Sequence, residues 1–84
     1  MKELLTYLTK SLVKFPDDVV VKEETTAEEG LVKFSLHVNP EDMGRVIGRN
    51  GKTARAIRLI VSARAAMENK RSRVDIEDEH ETGA

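Results

Sequence analysis

The residues whose types and spacing could do chemistry are concentrated in Val46-Ile47-Gly48-Arg49-Asn50-Gly51-Lys52-Thr53. Two glycines three apart allow a sharp turn and close approach by another backbone. Arg49 and Asn50 suit an exposed tip, and a helical pattern begins at Lys52. A turn at a helix N-terminus offers free N–H groups and the positive end of the helix dipole, a setting for phosphate. The stretch reads as a phosphate-gripping turn between two helices. Gly51-Lys52-Thr53 also matches the end of a nucleotide-binding P-loop, but that motif needs glycine five positions before Gly51, where Val46 stands.

Nothing else in the chain has the grammar of a catalytic centre. No nucleophile sits at a spacing that would place it beside a base, the two histidines are isolated, and cysteine is absent. His37 falls on the outer side of a strand pattern and reads as a surface or partly packed histidine; His80 carries no role. The acids fall in caps, turns and the C-terminal end. An enzyme is not expected, nor a cofactor or a bound metal.

The charge distribution supports a polyanion ligand even though net charge is only −1. Between Gly44 and Arg73 stand nine basic residues (Arg45, Arg49, Lys52, Arg55, Arg58, Arg64, Lys70, Arg71 and Arg73) against Glu68 alone. Residues 16–42 carry eight acids against Lys22 and Lys33, and residues 74–84 carry five acids and no base. Segregation of this kind points to one basic surface, with acidic surfaces elsewhere limiting non-specific contact. The competing explanation is that these segments neutralise one another within the fold.

The elements that must position the turn follow from periodicity. Leu4, Leu5, Leu8, Leu12 and Phe15 form the apolar stripe of a helix over residues 2 to 14, ended by Pro16. Residues 19–24 are a β-branched run ending in charge, a strand. After a polar hairpin connection, Val32, Phe34, Leu36 and Val38 alternate with Lys33, Ser35 and His37, the clearest strand in the chain. Asn39-Pro40-Glu41-Asp42 starts a short helix that Gly48 stops. A long helix then runs from Lys52 to Glu68, with Ala54, Ile57, Val61 and Ala65 toward the core.

That helix carries a second strip of Ala56, Ile60, Ala63 and Met67, read either as part of a broad core face or as a surface for self-association or a partner. Residues 69–73 read as a basic loop, and Val74 and Ile76 as the centre of a short last strand. Eighty-four residues allow one small domain, residues 1–77, with residues 78–84 as an acidic, disordered tail. No apolar run is long enough for a membrane span and no signal peptide is visible, so a cytoplasmic location is expected. A hairpin followed by a helical crossover predicts an α+β fold: a three-stranded mixed sheet in the order αββααβ, with three helices on one face.

Val46-Ile47-Gly48-Arg49-Asn50-Gly51, with Ile57 in the next helix, resembles the core of a KH domain. The element order resembles the bacterial type II variant. Because that domain would fill residues 2 to 77, the chain is similar to the small single-KH RNA-binding proteins of bacteria, the KhpA family. The resemblance implies a clamp on the backbone of about four nucleotides of single-stranded RNA, with a role in post-transcriptional regulation of an RNA-chaperone kind.

It further implies phosphate contacts at the backbone N–H groups of Arg49 to Lys52 and at the side chains of Arg49 and Lys52. Arg55 and Arg58 would extend the phosphate track or merely solvate that face, Ile47, Ala54 and Ile57 would partly floor a groove, and Lys70, Arg71 and Arg73 would form its opposite wall. The family also implies self-association, or pairing with a second KH-containing RNA-binding protein of the Jag/KhpB type. With only Tyr7, Phe15 and Phe34 as aromatics, no stacking platform is visible and sequence readout is expected to be poor. The alternatives are a protein docking module with incidental nucleic-acid binding, and single-stranded DNA as the ligand.

Overall fold

The alternation in residues 31–38 builds the strand on which everything else rests. In the computed structural model, which describes residues 1–78, this strand is Leu31–Val38 (β2). Phe34, Leu36 and Val38 are fully buried along one face, as a period of two requires. Val20–Thr25 (β1) pairs antiparallel with β2, from Val20 opposite His37 to Thr25 opposite Val32. Arg71–Asp78 (β3) pairs parallel on the other edge, from Leu31 opposite Arg71 to Val38 opposite Asp78. The sheet order β1-β2-β3 is therefore mixed, and the expected α+β fold is present.

Three helices cover the apolar face: Lys2–Leu12 (α1), Met43–Ile47 (α2) and Lys52–Met67 (α3). The core joins Leu5 of α1, Val46 of α2, and Ile57 and Val61 of α3 to Val21, Phe34, Leu36, Val38 and Val74 of the sheet. Ala54, Ile57, Val61 and Ala65 are the buried positions of α3. Spacings of three and four, with two alanines, let the helix lie close on the sheet.

Four expectations need correction. The N-terminal helix stops at Leu12, not residue 14, because the backbone N–H groups of Lys14 and Phe15 donate to the carboxylate of Asp42 at 2.9 and 3.0 Å. Within it, Leu5 and Thr9 are the buried residues, while Leu12 is exposed. Thr9 is tolerated inside because its hydroxyl donates to the Leu5 carbonyl one turn back, at 2.8 Å.

The basic stretch 69–73 is a loop only as far as Lys70. Asn69, at φ +59°, turns the chain directly out of α3, and Arg71 donates its N–H to Gly30 at 2.8 Å, opening the parallel ladder two residues earlier than the side-chain pattern implies. At the other end Asp78 still belongs to β3, and the rest of the acidic tail expected at 78–84 lies outside the described residues. Among the described residues no helix is long and apolar enough to cross a membrane.

Candidate nucleic-acid interface

The glycine turn joins α2 to α3 and is fixed by its own backbone. Gly48 donates to Gly44 at 2.9 Å, Gly51 donates back to Gly48 at 3.1 Å, and the N–H of Lys52 bonds the Arg49 carbonyl. These bonds close a single tight turn over Arg49–Gly51 whose last residue leads into α3. The N–H groups of Gly51 and Lys52, expected to face phosphate, are thus engaged in shaping the turn.

Gly48 sits at φ +77°, and a Cβ there would lie 2.2 Å from the Thr53 hydroxyl oxygen and 2.7 Å from the Thr53 nitrogen. No other residue fits without moving the first turn of α3. Gly51, at φ +76°, would bring a Cβ only against the end of the Arg55 side chain, at 3.3 Å. Asn50 takes the left-handed conformation at φ +56°, which asparagine adopts more readily than most residues.

The basic residues divide sharply by partner. Arg45 faces Asp42 at 3.5 Å, Arg64 faces Glu68 at 3.4 Å, Arg71 pairs with Glu28, and Arg73 approaches Asp75 at 3.5 Å. Among the described residues Arg49, Lys52 and Arg55 have no ion pair, and all three are exposed. The neutralisation anticipated as the competing explanation therefore accounts for part of the basic segment. It leaves uncompensated charge around the turn, where Arg49 and Asn50 form the exposed tip.

The opposite wall differs from expectation. The hydrogen bond from Arg58 to Val74 and the short turn after Met67 make α3 run antiparallel to β3. A sixteen-residue helix spans about 24 Å. Lys70 and Arg71 thus sit at the far end of α3 from the glycine turn. Lys70 lines a depression beside the β1–β2 hairpin together with Glu23, Glu24 and Glu28. Arg73 alternates with the buried Val74 and projects from the open face of the sheet, beside Asp75. Of these three residues only Arg73 borders the depression next to Arg58 at the edge of β3, and it does so from the open face of the sheet. The groove floor also changes: Ile47 is half-buried, but Ala54 and Ile57 are each only 3% exposed and belong to the core.

Two further residues shape the site, Asp42 from outside the expected set and Arg58 from its margin. Asp42, read from sequence as a first-turn acid, is fully buried and binds the segment after α1 to the entry of α2. Arg58 donates through Nε to the Val74 carbonyl at 3.1 Å, joining α3 to the edge of β3. It stands three residues after Arg55 on the same flank of the helix. On the other flank of α3, the strip Ala56, Ile60, Ala63 and Met67 lies outside the core, and Met67 is 77% exposed. The N-terminal helix does not close over it. Tyr7, Leu8 and Leu12 of α1 instead line, with Ala56 and Ile60, an open apolar depression of about 350 Å³.

This arrangement has counterparts. The family model described as KhpA/KhpB, KH domain, matches residues 2–76. A protein named RNA-binding protein KhpA from Clostridium acetobutylicum is 50% identical over 76 residues, covering 90% of this chain and 99% of the relative. Its namesake from Oceanobacillus iheyensis is 43% identical with the same coverage of both chains.

Among solved structures, Aquifex aeolicus Era Y63A bound to GDP and aluminium fluoride superposes with a TM-score of 0.67 at 13% identity, over 92% of this chain and 29% of that one. Era in complex with MgGDPNP and nucleotides 1506–1542 of 16S ribosomal RNA gives 0.58 at 14% identity, with the same coverage. At such identities the likeness concerns the fold alone. The turn, its flanking helices, the mixed sheet and a match across nearly the whole chain lead to one assignment: the chain belongs to the KhpA/KhpB family of KH domains.

Proposed function

We propose that this protein binds single-stranded RNA, holding the backbone of about four nucleotides against the Gly48–Gly51 turn. The observation that carries this reading is the group of exposed cations without acidic partners, Arg49, Lys52 and Arg55, around a turn whose first glycine leaves no room for a side chain. The relatives' name, RNA-binding protein KhpA, supports RNA as the polyanion. Ile47 flanks the contact and Arg73 edges its far side, whereas Lys70 and Arg71 belong to a different end of the molecule.

With few contacts and no aromatic platform, binding is weak and broadly tolerant of sequence. Useful affinity then comes from a second module through raised effective concentration. The exposed strip Ala56, Ile60, Ala63 and Met67 offers the surface for a homodimer or for a second KH-containing protein of the Jag/KhpB type. The cellular role that follows is post-transcriptional, of an RNA-chaperone kind, in the cytoplasm.

Fluorescence anisotropy with labelled single-stranded RNA tests the site. The wild type should bind, with affinity falling on the order of ten-fold between 50 and 200 mM salt if about three phosphates are neutralised. Arg49→Asp with Asn50→Asp, folded by circular dichroism, should lose binding. Equal binding by both proteins would remove the turn from the site. A parallel titration with DNA of the same sequence decides between the two nucleic acids. Absence of binding by either folded protein would favour a docking module built on the apolar strip, the reading that its exposure supports.

A further inference from the structure

We propose that Asn50-Gly51 is a self-modification site, where Asn50 exchanges its side-chain amide for a carboxylate at the expense of water. The chemistry stands on the turn's own geometry, and its consequence, loss of RNA, rests on the function proposed above.

The chain holds three asparagines, and their surroundings separate them. Asn39 is held at both ends of its amide, donating to Asp18 at 2.9 Å and accepting from Glu41 at 2.8 Å. Pro40 after it has no N–H to react. Asn69 is followed by Lys70, whose side chain crowds the backbone nitrogen and whose N–H is tied to Ala65 at 2.8 Å. Asn50 stands exposed at the tip of the turn, and among the described residues its side chain makes no hydrogen bond. Gly51 places no Cβ beside the reacting nitrogen.

In the closed turn Asn50 sits at φ 56° and ψ 25°, which keeps the Gly51 nitrogen away from the Asn50 side-chain carbon. Opening costs the bonds from Gly51 to Gly48 and from Lys52 to Arg49, and it uncovers no buried side chain of the turn. Hydroxide then removes the Gly51 amide proton. The positive field of Arg49, Lys52 and Arg55 favours that anion, and Nη1 of Arg55 would lie 3.3 Å from a Cβ on Gly51. The nitrogen bonds to Asn50 Cγ, the Cγ–N bond of the side chain breaks, and ammonia leaves with a proton from water. Water next opens the five-membered imide at either carbonyl, giving aspartate or isoaspartate. One water is consumed and one ammonia released, with no change of oxidation state.

Either product sets a negative charge among the three cations. Isoaspartate also adds a backbone methylene inside the hydrogen-bonded turn. A bound phosphate holds the turn closed and offsets its positive field, so the site converts while it is empty of RNA.

The test incubates the full chain at neutral and at alkaline pH, with and without single-stranded RNA, and maps the products by fragmentation mass spectrometry. Conversion should be confined to Asn50, run faster at alkaline pH, and slow when RNA is present. The converted form, separated by ion exchange and folded by circular dichroism, should bind RNA on the order of ten-fold more weakly than the unconverted fraction of the same sample. An intact Asn50 after an incubation that converts it in the urea-unfolded chain would overturn the site, as would equal conversion of Asn39 or Asn69. Equal RNA affinity of converted and unconverted protein would overturn the consequence and leave the turn's function open to the loop variant above. Fresh protein that binds no RNA would overturn that function together with the consequence, while conversion confined to Asn50 would still support the site.

Discussion

At the scale of single residues the two glycines of the turn are not equivalent. Both sit at positive φ, which costs a side-chain-bearing residue roughly 1–2 kcal/mol. Gly48 carries a further collision, because its Cβ would overlap the Thr53 hydroxyl and backbone nitrogen, whereas Gly51 would meet only the flexible end of Arg55. Gly48→Ala should therefore destabilise the fold more than Gly51→Ala, by at least about 1 kcal/mol beyond the shared strain. Urea unfolding of the two variants measures the difference, and equal midpoints would contradict it. Gly48→Ala should also displace the first turn of α3 and weaken RNA binding even where the protein remains folded.

Asp42 shows where single-residue reading from sequence runs out. The phosphate turn was legible because glycine spacing is a local signal. Asp42 looked like an ordinary first-turn acid, since its partners, the N–H groups of Lys14 and Phe15, lie 28 and 27 residues away. Nothing local distinguishes a carboxylate that caps its own helix from one that binds another segment.

Among the elements, legibility depended on how much each owes to its own sequence. The alternation in β2 and the stripe of α3 fixed those two unaided, and the buried positions match the pattern. The start of β3 did not show, because Arg71, Ser72 and Arg73 are strand residues only through their register with Leu31, Val32 and Lys33. That shift takes Arg71 and Arg73 out of the supposed basic loop, and the antiparallel course of α3 takes Lys70 and Arg71 away from the turn. The second apolar strip of α3 was ambiguous in sequence because exposure depends on where α1 lies.

With the strip exposed, substitution there should act on association rather than on folding. Ile60 is 43% exposed. Ile60→Asp should leave the melting temperature within a few degrees of wild type and shift sedimentation from dimer to monomer. A variant that still sediments as a dimer would remove this face from the interface.

Across the whole molecule, a net charge of −1 conceals an uneven surface. Glu28 of the hairpin pairs with Arg71, and Asp75 of β3 pairs with Lys33 and Arg73, so that side carries paired charge. On the turn and the first half of α3, Arg49, Lys52, Arg55 and Arg58 stand together with no acidic partner among the described residues. A cluster of this kind raises the local potential for a polyanion at the turn. The proposed second module would raise the affinity expected of one domain with one such cluster.

The most direct measurement is an amide chemical-shift titration of the labelled protein with a short single-stranded RNA. Saturable shifts should map to Gly48 through Arg58 and to the edge of β3 around Ser72 to Val74. The outer-face residues Lys22 and Ser35, and Lys70 beyond the far end of α3, should stay in place. Shifts spread evenly over every basic residue, or centred on Lys70 and Arg71, would contradict the assignment of the turn as the RNA site.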